Sequence, residues 1–184
     1  MSDKSWKMRP IGAPWLGFLA DLDRALESPV TIHCIGGFAL STLVDMPRPT
    51  GDIDFIEVLP EHGRAQLLSV GDKDSDLAEK HSLYLQDVGI ADAPYDYENR
   101  LIDVTPAGLD RLGLRVPDPY DLILTKAQRG VTKDIEDARL LVEQLSLDKN
   151  VLWDRFEKKL RPYLAVAPEK TELTIRIWLE ELFE

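Results

Sequence analysis

Two glycines and two aspartates constrain this chain more than any other feature. The apolar run Val30-Thr31-Ile32-His33-Cys34-Ile35 stops at Gly36-Gly37. A helix-compatible stretch, residues 38–45, follows, and then the loop Met46-Pro47-Arg48-Pro49-Thr50-Gly51, whose two prolines exclude both helix and central strand. The chain then enters Asp52-Ile53-Asp54-Phe55-Ile56-Glu57-Val58. Its alternation reads as a strand with Asp52 and Asp54 on one face and Ile53 and Phe55 on the other. A chain with this order must build a sheet in which a glycine turn and a pair of carboxylates belong to successive strands.

That order carries chemistry. Glycines between a strand and a helix let the backbone approach a phosphate group closely. Carboxylates on one strand face suit divalent ions of the kind that bridge attacking and leaving oxygens in phosphoryl or nucleotidyl transfer. Magnesium takes few carboxylates and completes its shell with substrate phosphates, so two or three acids suffice.

The remaining pattern predicts an α+β fold. Trp15, Leu19, Leu22 and Leu26 fall at i, i+4, i+7 and i+11, an amphipathic helix. A helix is expected over 61–70 and irregular structure from there to about Lys80, with the Asp72–Asp76 cluster as a solvated loop. Residues 82–88 and 99–104 are strand candidates, and 113–116 a short one. Beyond the turn at 117–121 the pattern turns helical. Leu122, Ile123 and Ala127 predict a helix ending at Gly130. Thr132 is the expected N-cap of the next, with Ile135, Ala138, Leu141, Val142 and Leu145 as its buried stripe. Two more helices are expected over 151–163 and 168–183, with Trp153, Tyr163 and Trp178 on their core faces. The organisation is thus a mixed sheet flanked by helices over residues 1–117, followed by a helical part over 118–184. The boundary is soft, and a single domain is the alternative.

Composition narrows the function classes. With 33 acidic and 22 basic side chains the formal charge is −11, which disfavours a non-specific coat on nucleic acid. Lys126, Arg129 and Lys133 are left as a local basic mouth. The single cysteine, Cys34, excludes an internal disulfide and a multi-cysteine zinc site, and is expected in the core. His33, His62 and His81 share no metal-ligand spacing. The N-terminal residues lack a signal-peptide pattern and no window reaches the length of a membrane span, so a cytoplasmic protein with no membrane partner is expected.

The glycine pair, the spacer and Asp52-Ile53-Asp54-Phe55 together resemble the signature of the DNA polymerase β-like nucleotidyltransferase superfamily. The segment 48–55 and the downstream segment 117–141 resemble a narrower bacterial branch, the small nucleotidyltransferase-like proteins related to abortive-infection toxins. The 14 residues between Gly37 and Asp52 exceed the usual spacer, and the Met46–Thr50 loop absorbs the excess.

The resemblance implies that Gly36 and Gly37 hold a nucleoside triphosphate, with Arg48 and Thr50 adjacent to the site. It implies that Asp52 and Asp54 bind Mg²⁺, as two ions, with Mn²⁺ as the alternative metal. A third carboxylate is expected from a later strand. Asp103 is the candidate, also suited to deprotonating the acceptor; Asp87 competes for the metal role, and a strand-end cap is the plain structural alternative for Asp103. By motif matching Lys126 contacts the phosphates, and Asp134 or Asp137 completes the polar network; a solvated helix pair is the alternative there. The implied activity is metal-dependent transfer of a nucleoside monophosphate to a hydroxyl on RNA or protein. The alternative is an inactive module of the same fold, acting by binding nucleotide or a partner such as an antitoxin; a third reading is a homodimer that supplies the substrate-binding helices.

Overall fold

A computed structural model describes residues 6–89 and 93–183 of the chain. The fold is α+β, with a mixed five-stranded sheet flanked by helices and a helical C-terminal part. The chain divides into two compact units. One comprises the described residues of Met1–Gly89 with Ile102–Val116, and the other those of Ile90–Leu101 with Pro117–Glu184.

The first unit holds the sheet. Its strands are β1 (Val30–Ile35), β2 (Asp52–Leu59), β3 (Tyr84–Asp87), β4 (Ile102–Asp103) and β5 (Leu112–Val116), in the order β3-β2-β1-β5-β4. β1 runs antiparallel to β2 and parallel to β5; β3 is parallel to β2, and β4 is antiparallel to β5. The helices are α1 (Trp15–Ala25), α2 (Gly36–Ser41), α3 (Arg64–Gly71) and α4 (Asp76–His81). Ile32, Cys34, Ile53, Phe55, Val58 and Leu114 are fully buried on the sheet, and Phe18, Leu19 and Leu22 of α1 are equally enclosed. Burial of the Cys34 thiol raises its pKa far above the ordinary range, which keeps it an inert core group.

One buried acid ties α1 to β5. Asp23 Oδ1 accepts from the backbone N–H groups of Arg111 and Leu112 at 2.7 and 2.8 Å. Burial opposes the charge, but those donors hold the carboxyl below its usual range. The contact anchors the start of β5 beside β1. Paired with β1 on one side and β4 on the other, β5 is an interior strand, although its short Gly-Leu-Arg-Val pattern suggested a minor one.

The second unit packs α5 (Pro119–Arg129), α6 (Thr132–Leu145), α7 (Lys149–Arg155) and α8 (Pro168–Leu182), with a π-helical turn over Phe156–Leu160 and 3₁₀ turns over Tyr97–Arg100 and Arg161–Tyr163. Asp118 caps α5 by accepting from Asp121 N–H at 2.9 Å, and Gly130 ends it in the left-handed region at φ 64°. Several expectations are corrected. Residues 76–81 form α4, with Ser75 as its N-cap. The N-cap of α6 is Val131 rather than Thr132, because Asp134 reaches back to accept from the Val131 N–H at 3.3 Å. The helix expected over 151–163 starts at Lys149 and leaves α geometry at Phe156. Tyr163 is exposed, stacked on Tyr95 at 4.6 Å between ring centroids, while Trp178 is buried as expected.

This unit encloses an ionic cluster that sequence periodicity gave no sign of. Asp121 is fully buried. Arg155 donates to it at 2.5 Å and Arg100 at 2.8 Å, and Arg155 also reaches Asp118 at 3.2 Å. Burial, then the neighbouring Asp118 charge, push the Asp121 carboxyl up to about 6 despite the two guanidiniums. Its folded pKa exceeds the unfolded one, so the folded state holds the proton more tightly and stability falls as pH rises from about 4 to about 6. Removing Arg155 leaves two adjacent carboxylates with less countercharge. Arg155→Ala is expected to destabilise the protein by about 3 kcal/mol at pH 8. The loss should shrink at pH 5, where Asp121 takes up a proton. Thermal melts at the two pH values check this, and a loss independent of pH would contradict it.

Candidate functional site

The site is built on the β1–β2 pair. Across it, His33 faces Glu57 while Cys34 faces Phe55, so Ile56 is an extra residue without a partner on β1. A bulge of this kind re-aims the residues beyond it. Here it sets Asp54 opposite Ile35, the last residue of β1 before the glycine turn.

Gly36, the next residue, is in direct apposition to Asp54. Gly36 adopts φ +71°, and a Cβ there would stand 2.2 Å from Asp54 Oδ2. Both facts require glycine: the backbone is left-handed, and the space belongs to the carboxylate. At Gly37 a Cβ would meet Thr50 Oγ1 at 3.0 Å. Thr50 in turn donates to Asp52 Oδ1 at 2.9 Å. Gly36, Gly37, Thr50, Asp52 and Asp54, singled out from sequence separately, therefore form one connected group in the first unit. Arg48 lies half-buried in the loop that carries Thr50.

Two further residues belong to this face and were missed. The β2–β3 register places Tyr84 beside Asp52 and Gln86 beside Asp54. The Tyr84 side chain stands beside the Asp52 carboxylate across the strand pair. Partial burial and the charges of Asp52 and Asp54 raise its pKa, so it remains a neutral donor. Period-two alternation in residues 82–88 made the strand legible, but not its parallel pairing with β2.

Asp103 does not join the group. It ends β4 at the far edge of the sheet, separated from β2 by β5 and β1, a span of about 14 Å at the usual strand spacing. Its side chain is exposed, and Oδ1 accepts from Thr105 N–H at 2.9 Å. The strand-end cap is what forms there, because β4 is only a two-residue edge strand. Asp87, the competitor, pairs with Arg64 at 2.6 Å and stands in register with Phe55 rather than with the aspartates. Among the described residues no cluster of three or more His, Cys, Asp or Glu side chains is arranged to hold a metal ion. Among the described residues the site thus offers two carboxylates rather than three.

Lys126 and Asp134 belong to the second unit. Lys126 is buried, with Nζ 2.7 Å from Asp137 and 3.9 Å from Asp134. Arg129 donates to both oxygens of Asp134, at 2.9 and 2.6 Å. Burial disfavours the Asp134 charge, but Arg129, Lys126 and the Val131 N–H hold its carboxyl below the usual range. The Lys126 ammonium is thus engaged between α5 and α6. The alternative of a solvated helix pair with Asp134 stabilising a helix N-terminus holds in part: Asp134 accepts from the Val131 N–H at the start of α6, but Asp134 and Asp137 are both buried.

A glycine turn against two strand carboxylates is an arrangement for phosphate chemistry, and the comparison with protein families agrees. Residues 19–172 match the family described as "Nucleotidyltransferase of unknown function (DUF6036)". The chain belongs to this nucleotidyltransferase family. The match takes in both units, from α1 to the start of α8. No curated protein and no solved structure matches the chain. Among the described residues, no helix of this family member is long and apolar enough to cross a membrane.

Two substitutions separate the roles. Gly36→Ala is expected to lower stability by about 1–3 kcal/mol, from backbone strain and displacement of Asp54, as read by denaturant unfolding. Lys126→Ala is expected to cost about 3 kcal/mol by removing the buried cation that lies 2.7 Å from Asp137 and 3.9 Å from Asp134, whereas exposed Lys133→Ala should stay within about 0.5 kcal/mol. An unchanged unfolding midpoint for Lys126→Ala would contradict its structural role.

Proposed function

We propose that this chain is a metal-dependent nucleotidyltransferase that moves a nucleoside monophosphate from a nucleoside triphosphate to a hydroxyl acceptor on RNA or protein. The observation that carries the reading is the apposition of Gly36 and Asp54, with Thr50 bridging Gly37 to Asp52. The donor set suits Mg²⁺, or Mn²⁺, because both are hard cations that take carboxylate oxygens and fill their shells with phosphate oxygens and water. Asp52 and Asp54 would hold the metal, as one ion or a pair, and bound metal would supply charge neutralisation on the phosphates and the leaving group.

The rest follows from the chain's own groups. Gly36 and Gly37, lacking side chains of their own, let Asp54 and Thr50 come close against the turn, so that a triphosphate bound at this backbone would meet the acids directly. Thr50 and Tyr84 orient Asp52. In the transfer itself, the acceptor oxygen bonds to the α-phosphorus and loses its proton, while the bond from that phosphorus to the β-bridging oxygen breaks and pyrophosphate leaves. Asp54 is the nearer acid to the glycine turn and suits the proton-accepting role.

A second reading has an observation of its own: the described residues lack a third acid beside the pair. On that reading the fold binds nucleotide without transferring it. One experiment separates the two. Wild type and Asp54→Ala are incubated with α-³²P-labelled nucleoside triphosphates, Mg²⁺, and cellular RNA or protein. Transfer by wild type that falls at least about 100-fold in Asp54→Ala is the expected result. Equal labelling by both proteins contradicts the assignment. Mg²⁺-dependent nucleotide binding without labelling, lost in Asp54→Ala, supports the binding module instead.

A further inference from the structure

The β2–β3 pairing sets a second pair of side chains against the aspartates. Residues paired across neighbouring strands share a face, so Tyr84 and Asp52 stand side by side, as do Gln86 and Asp54. A strand spacing of about 4.8 Å brings the exposed Gln86 amide within reach of the Asp54 carboxylate. Tyr84 approaches Asp52 from β3, while Thr50 donates to the same carboxylate from the preceding loop. Thr50 thus holds one oxygen of Asp52, and the Tyr84 hydroxyl comes to the same carboxylate from the neighbouring strand. A carboxylate has about four lone-pair directions, so this leaves Asp52 able to bind a cation as well.

We propose that β3 completes the Asp52–Asp54 site with neutral groups: Tyr84 is the positioning residue that fixes Asp52, and Gln86 stands beside Asp54 as an uncharged oxygen donor. This rests on the reading of Asp52 and Asp54 as metal ligands. Its consequence is specific. Without nucleotide, the attraction of the site for a divalent cation comes from two negative charges. A third charge at position 86, roughly 5–6 Å from the cation, would raise the affinity about tenfold in a solvent-exposed setting. Loss of the Tyr84 hydroxyl would free Asp52 to rotate and weaken cation binding by about three- to tenfold, with the ring still packed.

The test is Mn²⁺ titration of the full chain without nucleotide, with free Mn²⁺ read by electron paramagnetic resonance. The proteins are wild type, Asp54→Asn, Tyr84→Phe and Gln86→Glu, each checked for an unchanged thermal midpoint. Expected are binding by wild type, loss in Asp54→Asn, weakening in Tyr84→Phe and tightening in Gln86→Glu. An unchanged affinity in either Tyr84→Phe or Gln86→Glu overturns the proposal, while loss in Asp54→Asn would leave the metal site itself standing. Binding that survives Asp54→Asn overturns the metal-site reading on which the proposal rests. No binding by wild type and Gln86→Glu alike overturns both.

Discussion

The pairing of β1 with β2 across its bulge is the constraint on which the site depends. Antiparallel register alone would carry the pairing of His33 with Glu57 evenly along both strands; the extra residue, Ile56, shifts it by one. The shift keeps Phe55 paired with Cys34 in the core and sets Asp54 opposite Ile35, where even register would pair it with Gly36; its carboxylate still lies against the Gly36 turn. Ile53 and Phe55 are buried on the opposite face, so the aspartates cannot change sides without exposing two core residues. Core packing in this way fixes the direction of two charges that core packing alone would exclude.

The second unit shows a different use of charge. Lys126 with Asp134 and Asp137, and Arg100 and Arg155 with Asp118 and Asp121, are buried or nearly so and mutually satisfied. Such pairs are weak evidence for net stability, but removing one partner is costly, so they tie each helix to a particular neighbour. An acidic chain can carry these enclosed carboxylates because each cluster has its own cations. The pH response follows, since Asp121 is the acid whose enclosure lies closest to the limit of what its partners offset.

Local signals made much of this legible from sequence. The α+β class, β1, β2, the end of α5 at Gly130 and the order of glycine turn and acids all follow from patterns confined to a few residues. What escaped depends on pairing between distant segments. β5 is an interior strand because it pairs with β1 on one side and β4 on the other, and Asp23 holds its start by a contact that crosses 88 residues of chain. Asp103 looked like a site acid because Leu-Ile-Asp-Val reads as an interior strand, yet β4 is a two-residue edge. Tyr84 and Gln86 passed as ordinary strand residues because parallel pairing with β2 leaves no mark in sequence. Lys126, matched as a phosphate ligand, is held by acids from the next helix, which the basic look of 126–133 concealed.

The central claim is that Asp52, Asp54 and the Gly36–Gly37 turn form one metal and phosphate site. Anomalous diffraction from crystals grown with Mn²⁺ and a non-hydrolysable nucleoside triphosphate analogue tests it most directly. The expected map places manganese on the carboxylates of Asp52 and Asp54, with the triphosphate against the Gly36–Gly37 backbone. Manganese and nucleotide bound together elsewhere on the chain, with both aspartates untouched, would contradict it.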